Sequence, residues 1–155
     1  MKKEINLEKV RADAQEAYKS GEFLCAEAVV HSVRANVDPN MPKEMIHVAS
    51  GFPVGVGRAQ CMCGTVSAGT ICLGYFFGRT FPTTITDPQS LKTITLAYEL
   101  QDHFKQKNKA LCCHVHLKGM DEPRNGHPEK CAGFVGDMAV KTAEIVAREL
   151  GGKLV

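Results

Sequence analysis

The stretch Met62-Cys63-Gly64-Thr65-Val66-Ser67-Ala68-Gly69-Thr70-Ile71-Cys72-Leu73-Gly74-Tyr75-Phe76-Phe77 decides the fold. It is apolar or small throughout and carries no charge. Its apolar residues recur with a helical period and do not alternate as a strand's would. Gly64, Gly69 and Gly74 oppose a helix, each by about 1 kcal/mol relative to Ala. Several together predict that another backbone approaches closely there. The reading is a helix over 62–77, stopped by Gly78, at the centre of a helical bundle.

Outward from it, five more helices are predicted. The first spans Leu7 to Lys19 and stops at Ser20-Gly21. The second runs from Phe23 to Val37, with Cys25, Ala28, Val29, Ser32 and Val33 on one face. A short third starts near Pro42, which suits a first helical turn, and ends near Ser50-Gly51. Between it and the central helix, Gly51-Phe52-Pro53-Val54-Gly55-Val56-Gly57-Arg58 holds too many breakers for a long helix or strand. The fifth opens at Asp87-Pro88, an N-cap followed by Pro, and reaches Asn108. After a polar loop, Gly119 to Pro128, the sixth spans Pro128 to Leu150. Its face is Cys131, Val135, Met138, Ala139, Thr142, Ile145 and Val146. No run alternates as a strand should. The expected fold is all-α: one helical bundle domain of about six helices over residues 1–155.

Composition narrows the function. The chain has 155 residues, 19 Lys+Arg against 17 Asp+Glu, and 44% hydrophobic residues. A net charge of +2 does not mark a polyanion binder, so no nucleic-acid partner is expected. The longest apolar run, Ile71 to Phe77, is too short to span a bilayer, and no signal-peptide h-region follows the N-terminal lysines. A cytoplasmic protein is the expectation. In a reducing compartment, cysteines at suggestive spacings read as metal ligands or redox groups before structural disulfides. The odd count of seven also fits a closed disulfide framework poorly.

Four places bring cysteine to a helix end. Cys25 lies in the first turn of the second helix. Cys61 and Cys63 open the fourth, Cys112 and Cys113 follow the fifth, and Cys131 lies in the first turn of the sixth. Helix N-termini present unpaired N–H groups and a positive dipole end, which favour thiolate, the nucleophile and the metal ligand. Three of the four places share this device, and in a bundle such ends can meet at one pole. The plain alternative is that free cysteines are small buried hydrophobes. Cys72 is read so, because it lies nine residues from Cys63, on the opposite side of its helix. Adjacent Cα atoms stand about 3.8 Å apart, too close for a relaxed disulfide. One of Cys112 and Cys113 therefore faces a site, and the residues alone leave open which.

Cys112-Cys113-His114-Val115-His116, with His127 and Cys131, is dense in ligands that zinc accepts. Loop histidines are more often only solvated, and no recognised zinc spacing occurs. There is no C-x-x-C-H, so c-type haem attachment is not expected. Gly55-Val56-Gly57 lacks the third glycine of a dinucleotide fingerprint. P-loop, G-x-S-x-G and H-E-x-x-H motifs are absent.

The pattern resembles the C_GCAxxG_C_C proteins, small redox-active bacterial and archaeal proteins with four characteristic cysteines. The N-terminal, non-haem part of split-Soret cytochrome c is similar to them. The likeness runs from about Gly21 to Leu150. The first cysteine corresponds to Cys25 in Gly21-Glu22-Phe23-Leu24-Cys25-Ala26-Glu27-Ala28-Val29. The central motif corresponds to Cys63-Gly64-Thr65-Val66-Ser67-Ala68, with Thr65 for Ala and Ala68 for Gly, although Gly69 follows. Leu117-Lys118-Gly119-Met120-Asp121 follows the third cysteine, which this alignment places at Cys113 with a one-residue shift, Cys112 being the alternative. The fourth is Cys131. Cys61 is additional to the pattern.

The resemblance implies redox chemistry. Four thiolates from separate helices are what a [2Fe–2S] or [4Fe–4S] cluster requires, so the first expectation is an iron–sulfur electron-transfer protein serving a redox partner protein. Its ligands would be Cys25, Cys63, Cys113 and Cys131, with Cys61 and Cys112 in support. The second is metal-free thiol–disulfide exchange. The third is a zinc module using His114, His116 or His127. The fourth is a helical binding domain whose cysteines are merely buried. A homodimer is left open, because the glycine-rich helix would serve a dimer interface as well as its own core.

Overall fold

The glycine-rich stretch is helical, and it packs within its own chain. In the computed structural model, which describes residues 1–119 and 129–155, α5 (Gly64–Phe77) lies against α2 (Cys25–Asn36), α6 (Pro88–Asn108) and α8 (Glu129–Leu150). A Cβ added at Gly69 would stand 2.6 Å from Leu100 Cδ2 and 2.7 Å from Thr142 Oγ1. One added at Gly64 would stand 2.8 Å from the Phe52 carbonyl and 2.9 Å from Cys25 Sγ. These two glycines are where neighbours approach closely. Gly74 is exposed with nothing within 4 Å, so the close approach expected there is not made.

The remaining helices surround this core. α1 (Leu7–Lys19) packs on α8 and α2, and α3 (Glu44–Ala49) rests on α2 and α5. Starts and stops follow local chemistry. Asn6 Oδ1 accepts from Lys9 N–H at 2.8 Å, and Asp87 Oδ2 accepts from Ser90 N–H at 3.0 Å with Pro88 in the first turn. Each thus satisfies a donor the helix itself leaves unpaired. The Glu27 carboxylate accepts from Leu24 N–H at 2.8 Å at the head of α2. The core joins the predicted faces of α2 and α8: Val29, Val33, Val135, Met138, Ala139, Ile145 and Val146 are all buried.

The all-α reading holds, with differences in detail. Among the described residues, two single turns, α4 (Pro53–Val56) and α7 (Cys113–His116), join the six expected helices. The central helix begins at Gly64 and not Met62, because Cys63 takes an extended N-cap conformation. The start expected at Pro128 for the last helix lies outside the described residues, as do the loop residues 120–127. Two strands of two residues also form. β1 (Glu4–Ile5) pairs in parallel with β2 (Lys153–Leu154) and fastens the two ends of the chain together. They are too short to leave an alternating pattern, and they exist because Ile5 is drawn fully into the core. Among the described residues, no helix is long and apolar enough to cross a membrane.

α4 is not an ordinary helix. Val54 (φ 55°), Gly55 (φ 67°), Val56 (φ 51°) and Gly57 (φ 61°) are all left-handed. For a β-branched residue this is a costly conformation, held only where surroundings enforce it, and often beside a functional site.

Candidate thiol centre

Four elements each deliver one cysteine to a single cavity. Cys25 is the first residue of α2, Cys63 the N-cap of α5, Cys113 the first residue of α7 and Cys131 the third of α8. All four therefore stand at helix starts, one more than expected, because Cys113 opens a turn of its own. Tyr18, Val54, Thr65, Leu117 and Phe134 complete the wall. The cavity measures about 40 Å³, room for roughly three water-sized groups at 10–15 Å³ each.

Helix starts and the left-handed turn aim N–H groups at the sulfurs. Val54 and Ala26 N–H donate to Cys25. The N–H groups of Thr65 and Val66 and the Thr65 hydroxyl turn toward Cys63, with Thr65 Oγ1 3.2 Å from Cys63 Sγ. The Tyr18 hydroxyl donates to Cys131. The conformation of Val54 thus has a use: it points that residue's N–H at Cys25 in the wall of the cavity.

Titration sorts the thiols. Cys63 is pulled down to about 7, first by the hydrogen bond from Cys113, then by Thr65 and the helix N–H groups, against the burial that opposes it. Its partner Cys113 is driven up, first because it holds the shared proton toward Cys63, then by burial and the neighbouring sulfurs. Burial, then the charge of Cys63, pushes Cys25 up to about 12. Cys131 is raised by burial, in part offset by Tyr18. Of the four, Cys63 is the thiol drawn down toward neutrality. Three further thiolates would need positive charge beside them.

Cys61 and Cys112 are joined in a disulfide, Cα atoms 4.2 Å apart. The expectation put metal ligands and redox groups before disulfides and gave both residues as candidates to support the ligands; here they bond to each other. Their separation of 51 positions in sequence hides their proximity, which backbone hydrogen bonds create: Cys63 N–H to Leu111 O at 2.8 Å and His114 N–H to Gln60 O at 3.1 Å. Of the adjacent pair, Cys113 lines the cavity. Cys72 is fully buried outside it, pushed up to about 12 by that burial.

Neither His114 nor His116 joins the site. His116 is buried between Phe104 and Phe134, its Nε2 bonded to Ala110 O at 2.7 Å. His114 is exposed, with Nδ1 3.4 Å from Gln60 O. His127 lies outside the described residues. Among those described, no three His, Cys, Asp or Glu side chains gather tightly enough for one ion.

Several wall residues escape a reading of cysteine positions. Phe134 follows Cys131 by three and Leu117 follows Cys113 by four, so helical spacing could have found them. Thr65, which departs from the motif, caps Cys63. Tyr18 and Val54 leave no signal in sequence, because the fold alone brings them in.

Residues 23–145 match the family model described as "Putative redox-active protein (C_GCAxxG_C_C)". The chain belongs to this family. All four cavity cysteines of this C_GCAxxG_C_C protein fall within the matched span, as does the Cys61–Cys112 bridge. Neither curated proteins nor solved structures give a match.

Proposed function

We propose that this C_GCAxxG_C_C protein is a cytoplasmic electron carrier, with Cys25, Cys63, Cys113 and Cys131 as the ligands of a [2Fe–2S] or [4Fe–4S] cluster. The observation that carries it is the meeting of four thiols, each from a different element, around one small apolar cavity. The four thiols line one cavity from four elements of the chain's fold. A cluster takes its sulfurs on different irons, so it asks for donors around a void.

The remaining residues suit that use. When bound, such a cluster takes up and releases electrons singly. The N–H groups of Ala26, Val54, Thr65 and Val66 and the Tyr18 hydroxyl would bond the ligand sulfurs and raise the potential. Val54, Leu117 and Phe134 keep water from them. Metal ligation requires deprotonated thiols. The thiols of Cys25, Cys113 and Cys131 are shifted upward, a direction that iron's positive charge would have to reverse.

A second reading has its own support. The Cys63–Cys113 pair, a thiolate hydrogen-bonded to a thiol, has the form of a metal-free dithiol that exchanges with a partner's disulfide. Serine substitution separates the readings in protein reconstituted anaerobically with ferrous iron and sulfide. On the cluster reading, Cys25→Ser, Cys63→Ser, Cys113→Ser and Cys131→Ser each abolish or shift the visible band, and Cys72→Ser leaves it. Unchanged spectra in all four would remove the cluster reading. Protein that takes up no iron but loses disulfide exchange in Cys63→Ser would establish the second.

A further inference from the structure

The Cys61–Cys112 bridge has no part in the thiol cavity, yet both of its ends adjoin it. Cys61 lies two residues before Cys63, and Cys112 immediately precedes Cys113. The bridge spans the seam between two segments that wall the cavity: one carries Val54, the other Cys113 and Leu117. Across that seam run two backbone hydrogen bonds, Cys63 N–H to Leu111 O and His114 N–H to Gln60 O, and the disulfide is the covalent tie. The halves of the bridge differ in exposure. Cys61 is exposed and Cys112 half-buried, while Cys63 and Cys113 beneath are only 5% and 7% exposed.

We propose that Cys61–Cys112 is a reducible latch on the thiol cavity, opened by an external dithiol that attacks at Cys61. A thiolate of the dithiol bonds to Cys61 Sγ. The Cys61–Cys112 bond breaks, and Cys112 leaves as thiolate. The second thiolate of the dithiol then attacks its own sulfur in the mixed disulfide, closing the reagent's disulfide and releasing Cys61. Two electrons pass from the dithiol to the bridge, and two protons end on Cys61 and Cys112. Attack starts at Cys61 because exchange needs access to the sulfur.

Opening removes the covalent tie across the seam and leaves the loop over Val54 to Gln60 held by its hydrogen bonds and by the packing of α4 on α2 and α5. That loop includes Val54, Val56, Arg58 and Gln60, all at positive φ, a backbone with little intrinsic reason to keep its shape. Reduction thereby admits reagents, iron or a partner's thiol to Cys63 and Cys113. This holds whether the cavity carries a cluster or works as bare thiols.

The test uses the full chain, iron-free and purified without reductant, with dithiothreitol as the probe. Alkylation and peptide mass mapping follow each cysteine under native conditions. Dithiothreitol should expose two new thiols, at Cys61 and Cys112. Alkylation at Cys63 should then quicken by about tenfold or more, as a locally opened segment permits. The Cys61→Ser/Cys112→Ser double variant, if its helicity matches the parent, should show the fast rate without dithiol. A bridge that stays closed in dithiothreitol while the chain is folded would overturn the proposal. So would an unchanged rate at Cys63 after the bridge opens. Because iron is absent throughout, neither result bears on the cluster reading.

Discussion

An ordinary thiol is almost wholly protonated at neutral pH, and Cys63, drawn down to about 7, is half ionised there. The cause is local and removable. In iron-free protein, ultraviolet thiolate absorbance should rise in one step near pH 7, and Cys63→Ser should abolish that step. Cys113→Ala deletes the largest stabiliser of the thiolate, so the step should move to higher pH. A step unmoved by either change would contradict the assignment. Stability should follow the same groups. Between about 7 and 9 the folded state has lost the Cys63 proton while the unfolded chain keeps it, so stability rises with pH. Between about 9 and 12 the unfolded chain ionises thiols that Cys25 and Cys72 keep protonated when folded, so stability falls. Urea midpoints across pH should therefore peak near 9, and Cys63→Ser should flatten the rising limb alone.

The central helix shows what its glycines are for. Gly64 lets the Phe52 carbonyl and the Cys25 sulfur sit against the first turn of α5, so Gly64→Ala would crowd both. A loss of about 1–3 kcal/mol is expected from overpacking, with altered alkylation at Cys25. Gly69→Ala meets Leu100 and Thr142 away from the cavity. It should cost a similar amount and leave the Cys63 titration in place. Gly74→Ala meets nothing and should stabilise by about 0.5–1 kcal/mol through helix propensity. Chemical denaturation of the three variants checks the order. In sequence these glycines look alike, because spacing shows which face a residue takes but not what lies opposite. The helices themselves were legible because Asn6, Asp87-Pro88 and the apolar faces of α2 and α8 act locally. The left-handed turn over Val54 to Gly57 was legible only as irregular, since two valines in that conformation contradict their own preference and tertiary contacts hold them there.

In the whole molecule, four helix starts meet at one place. Sequence offered that as a possibility: Cys25, Cys63 and Cys131 each follow a helix break, and the family motif pointed to Cys113 with Cys112 as the alternative. What the sequence withheld depends on closure of the chain upon itself. The Cys61–Cys112 bridge joins segments 51 residues apart. Tyr18 reaches Cys131 because α1 packs on α8. His116 points into the aromatic pair Phe104 and Phe134 and not toward the sulfurs. The small cavity they leave is the feature on which the cluster proposal rests, since it would offer an inorganic core four donors from four elements. The measurement that tests this most directly is iron and acid-labile sulfide in protein purified without oxygen, beside its visible spectrum. Near-stoichiometric iron with sulfide and a broad visible band is the predicted result. Colourless protein free of iron, or zinc in its place, would contradict the cluster.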